Sequence, residues 1–204
     1  MTETGETARQ TDGVGLLERA IGYAFPAVEA VTPECLACPT PCRSWDLRML
    51  LHHVNDSLAA LYEGMDTGRV GLGLAADDDG DPTTDPAQTF RERAARLLGA
   101  WTGVERHEPL IAIADLSLTK SIVTGAGAIE IAVHGWDISQ ACGHHRPLPY
   151  ELAVDLLKIC PLVVPDNARH SLFAAPITMS AFACPSDRLV AFLGRDPSAY
   201  GRCV

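Results

Sequence analysis

From Val14 onward, apolar side chains return at three- and four-residue steps: Leu16, Leu17, Ala20, Ile21, Ala24, Phe25, Val28 and Val31. That period is the period of a helix with one buried face. Thr32-Pro33 ends it, because the residue before a proline is pushed out of the helical region. Residues 35–44 hold Pro39 and Pro41 and read as a rigid loop, with Ser44 placed to N-cap a second helix. The buried face of that helix is Leu47, Leu50, Leu51, Val54, Leu58 and Leu61. Residues 64–85, rich in Gly and Asp, read as a solvated loop. Asp85-Pro86 has the signature of a helix start, and Phe90, Ala94, Leu97, Leu98 and Trp101 carry the third helix inward to about Thr102. Leu110 to Leu118 suits a short extended segment. A fourth helix spans Lys120 to Ala141, and a fifth starts at Pro149 or Tyr150 and stops near Cys160-Pro161. Residues 163–204 are irregular and broken by proline, with room for a short strand.

These elements predict an all-α protein, an antiparallel four-helix bundle with a fifth helix and an irregular C-terminal tail. The division is a disordered tail over 1–13, a helical bundle over 14–162 and an extension over 163–204 packed on it.

Composition narrows the function classes. The chain has 204 residues, a hydrophobic fraction of 47% and a formal net charge of −10. It lacks the basic stripe of a nucleic-acid binder, and its sign suits an anionic membrane surface poorly. No apolar run reaches the length of a membrane span, and Met1 to Gly13 has neither the basic nor the apolar region of a secretory signal. The expectation is a cytoplasmic protein, monomer or homodimer, with neither nucleic acid nor membrane as partner. The 7 cysteines are odd in number, which favours reduced thiols. Only Lys120 and Lys158 among the basic residues are lysines, a bias typical of high-GC genomes.

The chemistry concentrates in the fourth helix. Glu130 and His134 are four residues apart and share a face, among Ile129, Ile131, Ala132, Val133, Trp136 and Ile138. A carboxylate and an imidazole facing a bundle core need partners, and a divalent metal satisfies both. A catalytic zinc needs a third protein ligand and an open position. The second helix offers His52 or His53, and the helical face leans to His53. Asp56, one turn on, is placed to orient an imidazole. Asp137 and Cys142 follow His134 on nearby faces. The same Glu–His spacing also occurs as an ordinary helix-surface pair. Cys35, Cys38 and Cys42 form C-x2-C-x3-C, a candidate redox element or second metal site one ligand short of closed zinc coordination. Asp77, Asp78, Asp79 and Asp81 lack the Glu that a calcium loop requires.

The segment Pro39-Thr-Pro-Cys-Arg-Ser-Trp45-Asp-Leu-Arg-Met-Leu-Leu-His-His53 resembles the entry to the second helix in the mycothiol-dependent maleylpyruvate isomerase-like family. That family lies within the DinB-like superfamily of metal-binding four-helix bundles. Gly127-Ala-Ile-Glu130-Ile-Ala-Val-His134-Gly-Trp136-Asp137 resembles its fourth-helix motif, and Asp187 to Pro197 resembles the tail of its single-domain members. The resemblance implies a metal triad of His53, Glu130 and His134, holding zinc, nickel or another divalent ion. It implies a low-molecular-weight thiol, mycothiol, acting on a small electrophilic substrate by transfer, addition or isomerisation. Cys42 belongs to the family segment, whereas Cys35 and Cys38 stand outside it. The isomerase proper has a separate C-terminal domain, and residues 165–204 are too few to form it. The alternative is a non-catalytic metal- or redox-responsive protein that uses Cys35, Cys38 and Cys42.

Overall fold

The computed structural model describes residues 13–42, 44–71, 84–100, 110–164, 169 and 173–199. The expectations for the N-terminal tail, Asp77–Asp81 and Trp101 fall outside them. Six α-helices are present among the described residues: α1 (Gly13–Glu29), α2 (Leu47–Thr67), α3 (Pro86–Ala100), α4 (Lys120–Ala141), α5 (Tyr150–Val163) and α6 (Pro185–Phe192). Helices α1 to α4 close a ring, since α1 packs on α4 and α3, and α2 packs on α3 and α4. Their inward stripes are those the spacing predicts. Leu16, Ile21, Leu50, Leu58, Phe90, Leu97 and Ile131 are each fully buried. Helix α5 lies on α4 and α6 on α5, and Leu189 and Val190 of α6 join the same core.

Local chemistry accounts for the helix ends. Asp46, not Ser44, caps α2: its side chain accepts from the Met49 N–H at 2.9 Å. The preceding chain is pinned by a bridge between Pro39 and Asp46 and by the Leu47 N–H donating to the Cys38 carbonyl at 3.0 Å. Asp85 accepts from the Ala87 N–H at 3.0 Å at the start of α3. Helix α2 continues past Gly64, which is buried, and ends at Gly68, whose φ of 70° is the left-handed C-cap. The predicted loop therefore starts four residues late, because Gly64 is needed for close packing against Val70 and Ile111.

The all-α expectation needs a correction. A small three-stranded sheet is present, with β1 (Arg69–Val70) parallel to β2 (Leu110–Ile113), and β2 antiparallel to β3 (Leu116–Thr119). The extended segment foreseen over Leu110–Leu118 is a hairpin, with Leu110 opposite Thr119 and Ile113 opposite Leu116. Among its described residues the tail holds helix α6 rather than a strand. A turn of 3₁₀ helix over Pro33–Ala37 precedes α2, and a shorter one over Pro197–Ala199 follows α6.

Helices α1 and α4 approach closely at Gly135. A Cβ there would lie 2.9 Å from Ala24 Cβ and 3.0 Å from Ala24 Cα. Only a glycine lets the two backbones meet at this level, one residue beyond His134.

Candidate metal centre

His53 projects from α2, and Glu130 and His134 project from α4 across the helix interface. His53 Nε2 lies 2.5 Å from Glu130 Oε1, and His134 Nε2 lies 3.2 Å from the same oxygen. The donor atoms of the three residues all fall within 4.8 Å of one another. The imidazoles stand edge to face, with ring centroids 5.1 Å apart. Ser57 Oγ donates to Glu130 Oε1 at 3.3 Å from one turn beyond His53. His53, not His52, is thus the α2 histidine that reaches Glu130.

The burial is graded. The His134 side chain is 6% exposed, Glu130 25% and His53 39%. The group therefore opens toward solvent on the His53 side and is closed behind His134. Trp45 covers part of that opening, its ring centroid 4.6 Å from that of His53.

Behind His134 stands a second layer. His134 Nδ1 lies 2.9 Å from Asp137 Oδ2, and Asp137 has no exposed surface. Arg195 Nη2 donates to the same oxygen at 2.9 Å, and its Nη1 donates to the Leu193 carbonyl at 2.9 Å. Arg195 Nη2 also approaches Cys42 Sγ at 3.3 Å. Gly194 makes this possible: its φ is 82°, and a Cβ there would come within 2.8 Å of the Ala174 carbonyl oxygen. The chain turns at that glycine and returns Arg195 to the bundle.

The charges follow from these contacts. Burial opposes ionisation of Asp137, but Arg195 and His134 outweigh it and hold the carboxyl below its ordinary range. Burial likewise opposes ionisation of Glu130, yet the two imidazoles keep it well below the usual carboxylate value. Burial disfavours the His134 cation, but Glu130 and Asp137 overcome it and raise the group to about 9. A metal-free site thus holds a proton between His134 and Glu130, where a cation would otherwise sit. Burial, reinforced by Asp137, pushes the Cys42 thiol up to about 11.

The donor set fits a divalent ion. It provides two imidazole nitrogens and one carboxylate, the ligand types zinc accepts, with room for a fourth ligand on the exposed side. The Nδ1–H of His134 donates to Asp137, which leaves Nε2 as the ring atom that faces Glu130 and could meet an ion.

The remaining predicted residues are distributed elsewhere. Asp56 Oδ1 lies 3.6 Å from Arg93 Nη1 of α3. Asp137 is in the layer just described. Cys142 lies away from the donor group, beside Cys35 and Cys38. Cys42 separates from its two sequence neighbours, and its sulfur falls with His134 and Asp137 in a second group of close donors. Arg195 was not foreseen as a site residue. Its signal was its place in the family-like tail, but nothing in local spacing ties it to a residue 58 positions away.

A cavity of about 560 Å³ adjoins this layer, walled by Cys42, Trp45 and Arg195 on one side and by Phe173, Ile177 and Leu193 on the other. No helix among the described residues is long and apolar enough to cross a membrane.

The fold and site together define a helical bundle with two imidazoles and a carboxylate gathered across two of its helices. The chain belongs to the mycothiol maleylpyruvate isomerase N-terminal domain family, whose model matches residues 19–139. That span includes His53, Glu130, His134 and Asp137 and stops short of Arg195. The chain is also similar to uncharacterized proteins of Mycobacterium tuberculosis strains CDC 1551 / Oshkosh and ATCC 25618 / H37Rv. Each is 28% identical over 184 residues, covering 84% of this chain and 92% of the relative. No solved structure matches the chain.

Proposed function

We propose that the protein is a metal-dependent enzyme that brings a low-molecular-weight thiol to a small electrophile. The thiol is mycothiol, in keeping with the family, and the reaction is thiol transfer, addition or thiol-assisted isomerisation. The observation that supports this is the convergence of His53 Nε2, Glu130 Oε1 and His134 Nε2 beside a solvent-facing opening. His53, Glu130 and His134 would hold the ion, zinc in the first instance, with nickel as another divalent choice. When bound, such an ion supplies Lewis acidity that makes a coordinated thiol or water nucleophilic at neutral pH.

The chain's own residues set the conditions. Asp137 fixes the tautomer and ring plane of His134. Arg195 keeps Asp137 ionised and buried. Trp45 packs on His53 and limits its rotation, while the exposed edge of that ring leaves an approach for a thiol. The adjoining cavity would seat the electrophile. Arg195, the cation among the described residues of its wall, is already committed to Asp137, so that described wall suits a neutral apolar group better than a dicarboxylate. On this reading residues 14–162 carry the centre, and residues 163–204 pack against it and supply Arg195. The odd number of cysteines and a thiol cosubstrate support a cytoplasmic setting for this reaction.

The test is metal content measured by elemental analysis. Wild type should hold one equivalent, and H53A/E130A/H134A should hold none while retaining its helical circular dichroism. Metal retained by the folded triple variant would overturn the assignment. Turnover of mycothiol with a neutral electrophile should then depend on the same three residues.

A further inference from the structure

We propose that the cavity walled by Trp45, Phe173, Ile177 and Leu193 selects a neutral aromatic ring, and that Phe173 and Ile177 determine this specificity. On the reading that this cavity seats the electrophile, on which the proposal rests, the electrophile is an aromatic compound without a carboxylate.

The cavity measures about 560 Å³, the size of a site for a small organic molecule. Its described walls come from two separate stretches of chain, each tied down by hydrogen bonds. On one side Thr40 Oγ1 donates to the Trp45 carbonyl at 2.9 Å, and the Trp45 N–H donates to the Cys42 carbonyl at 2.8 Å. On the other, the Phe173 N–H donates to the Arg169 carbonyl and the Ile177 N–H to the Ala191 carbonyl, both at 2.9 Å. Arg169 Nη1 donates to the Phe192 carbonyl at 2.7 Å, and its guanidinium lies over the Phe192 ring, 4.6 Å from the centroid. The segment that carries Phe173 and Ile177 is thus fastened to α6 at both ends. A wall ordered before the ligand arrives loses little freedom on binding.

The chemistry of the wall selects the ligand. Arg195 is the cation among the described lining residues, and its edge is committed. Nε lies 3.4 Å from Asp137 Oδ1, Nη1 donates to the Leu193 carbonyl at 2.9 Å, and Nη2 reaches Asp137 Oδ2 at 2.9 Å and Cys42 Sγ at 3.3 Å. Those are the in-plane donors with which a guanidinium grips a carboxylate. What remains for a ligand is the flat face, which stacks on aromatic rings. Trp45 and Phe173 add two more π surfaces, and Ile177 and Leu193 add aliphatic surface. A carboxylate entering here would give up its water without gaining a charged partner.

Trp45 links the cavity to the metal centre. Its ring also packs on His53, with centroids 4.6 Å apart, so a ligand ring bound against Trp45 lies one side chain away from the donor group. Phe173 and Ile177 lie beyond residue 139, where the family match ends. The centre therefore belongs to the family span, and half of the selecting wall belongs to the tail of this chain.

The experiment is calorimetric titration of the full-length protein with three bicyclic probes: 1-naphthol, decahydro-1-naphthol and 1-naphthoate. Wild type should bind 1-naphthol about 10-fold more tightly than decahydro-1-naphthol, the worth of two ring contacts beyond burial. It should bind 1-naphthoate more weakly than 1-naphthol. Ile177→Trp, which places an indole in the cavity, should abolish 1-naphthol binding. Phe173→Leu, which keeps an apolar wall, should bring the two neutral probes to within about 3-fold of each other. Circular dichroism checks the folding of both variants, and the wild-type comparison needs neither. Equal affinity of wild type for the two neutral probes, tighter binding of 1-naphthoate, undiminished 1-naphthol binding by folded Ile177→Trp, or an unchanged preference in folded Phe173→Leu would each overturn the proposal. The metal assignment is read separately, from the metal content of H53A/E130A/H134A. Metal retained there overturns that assignment and leaves the ring selectivity of the wild-type cavity standing, whereas lost selectivity overturns this proposal and leaves the metal content as it is.

Discussion

The pair Asp137–Arg195 is where a conservative substitution should have the largest effect. Asp137→Asn keeps the size of the side chain and keeps an oxygen that can accept from His134 Nδ1, now 2.9 Å away. It removes the charge that faces Arg195 and, with the amide oxygen in the Oδ2 position, turns the NH₂ toward Arg195 Nε at 3.4 Å. Arg195 is 8% exposed and Asp137 fully buried, so water cannot replace the lost partner. Stranding one member of a buried ion pair costs about 3–5 kcal/mol. Removing both charges, as in Asp137→Asn with Arg195→Met, should restore much of that loss, because the pair repays little more than its own desolvation. The assay is a double-mutant cycle by urea unfolding of the metal-free protein. Metal affinity gives an independent reading: the single and the double variant should both bind about 10-fold more weakly, since neither holds a carboxylate behind His134. Losses that add to within about 0.5 kcal/mol would refute the reasoning, because they would mean that the two groups do not sense each other.

Two glycine substitutions should have opposite signs. Gly135→Ala meets Ala24 backbone at 3.0 Å and should cost about 1–2 kcal/mol by thermal melt, overpacking exceeding the gain in helix propensity. Gly22→Ala, with no atom within 4 Å of the new Cβ, should stabilise α1 by about 0.5–1 kcal/mol. Asp155 pairs with Lys158 at 2.8 Å and Arg19 at 2.9 Å, and although burial opposes them they lower its pKa. A depressed carboxylate stabilises the folded state above its unfolded pKa and loses that contribution as pH falls through the folded value. Asp155→Asn should therefore cost about 0.5 kcal/mol at pH 7, a value already discounted for solvent screening, and nothing near pH 2, by urea unfolding at both.

What could be read from the chain follows from the range of each signal. Helical periodicity is local and strong, and it marked the inward face of α2, whose Leu47, Leu50, Leu51, Val54, Leu58 and Leu61 are all buried. The Glu130–His134 pairing was legible for the same reason, four residues on one helix face. The sheet was not: β1 is two residues long, and its pairing with Ala112 and Ile113 is set by the close approach of α2 at Gly64, not by its own alternation. Helix α6 was obscured because its eight residues, proline first, are too few to show a period. The cysteine triplet misled through adjacency. C-x2-C-x3-C suggests one cluster, but the bridge between Pro39 and Asp46 reverses the chain between its members, so Cys42 goes to Arg195 and the other two to Cys142.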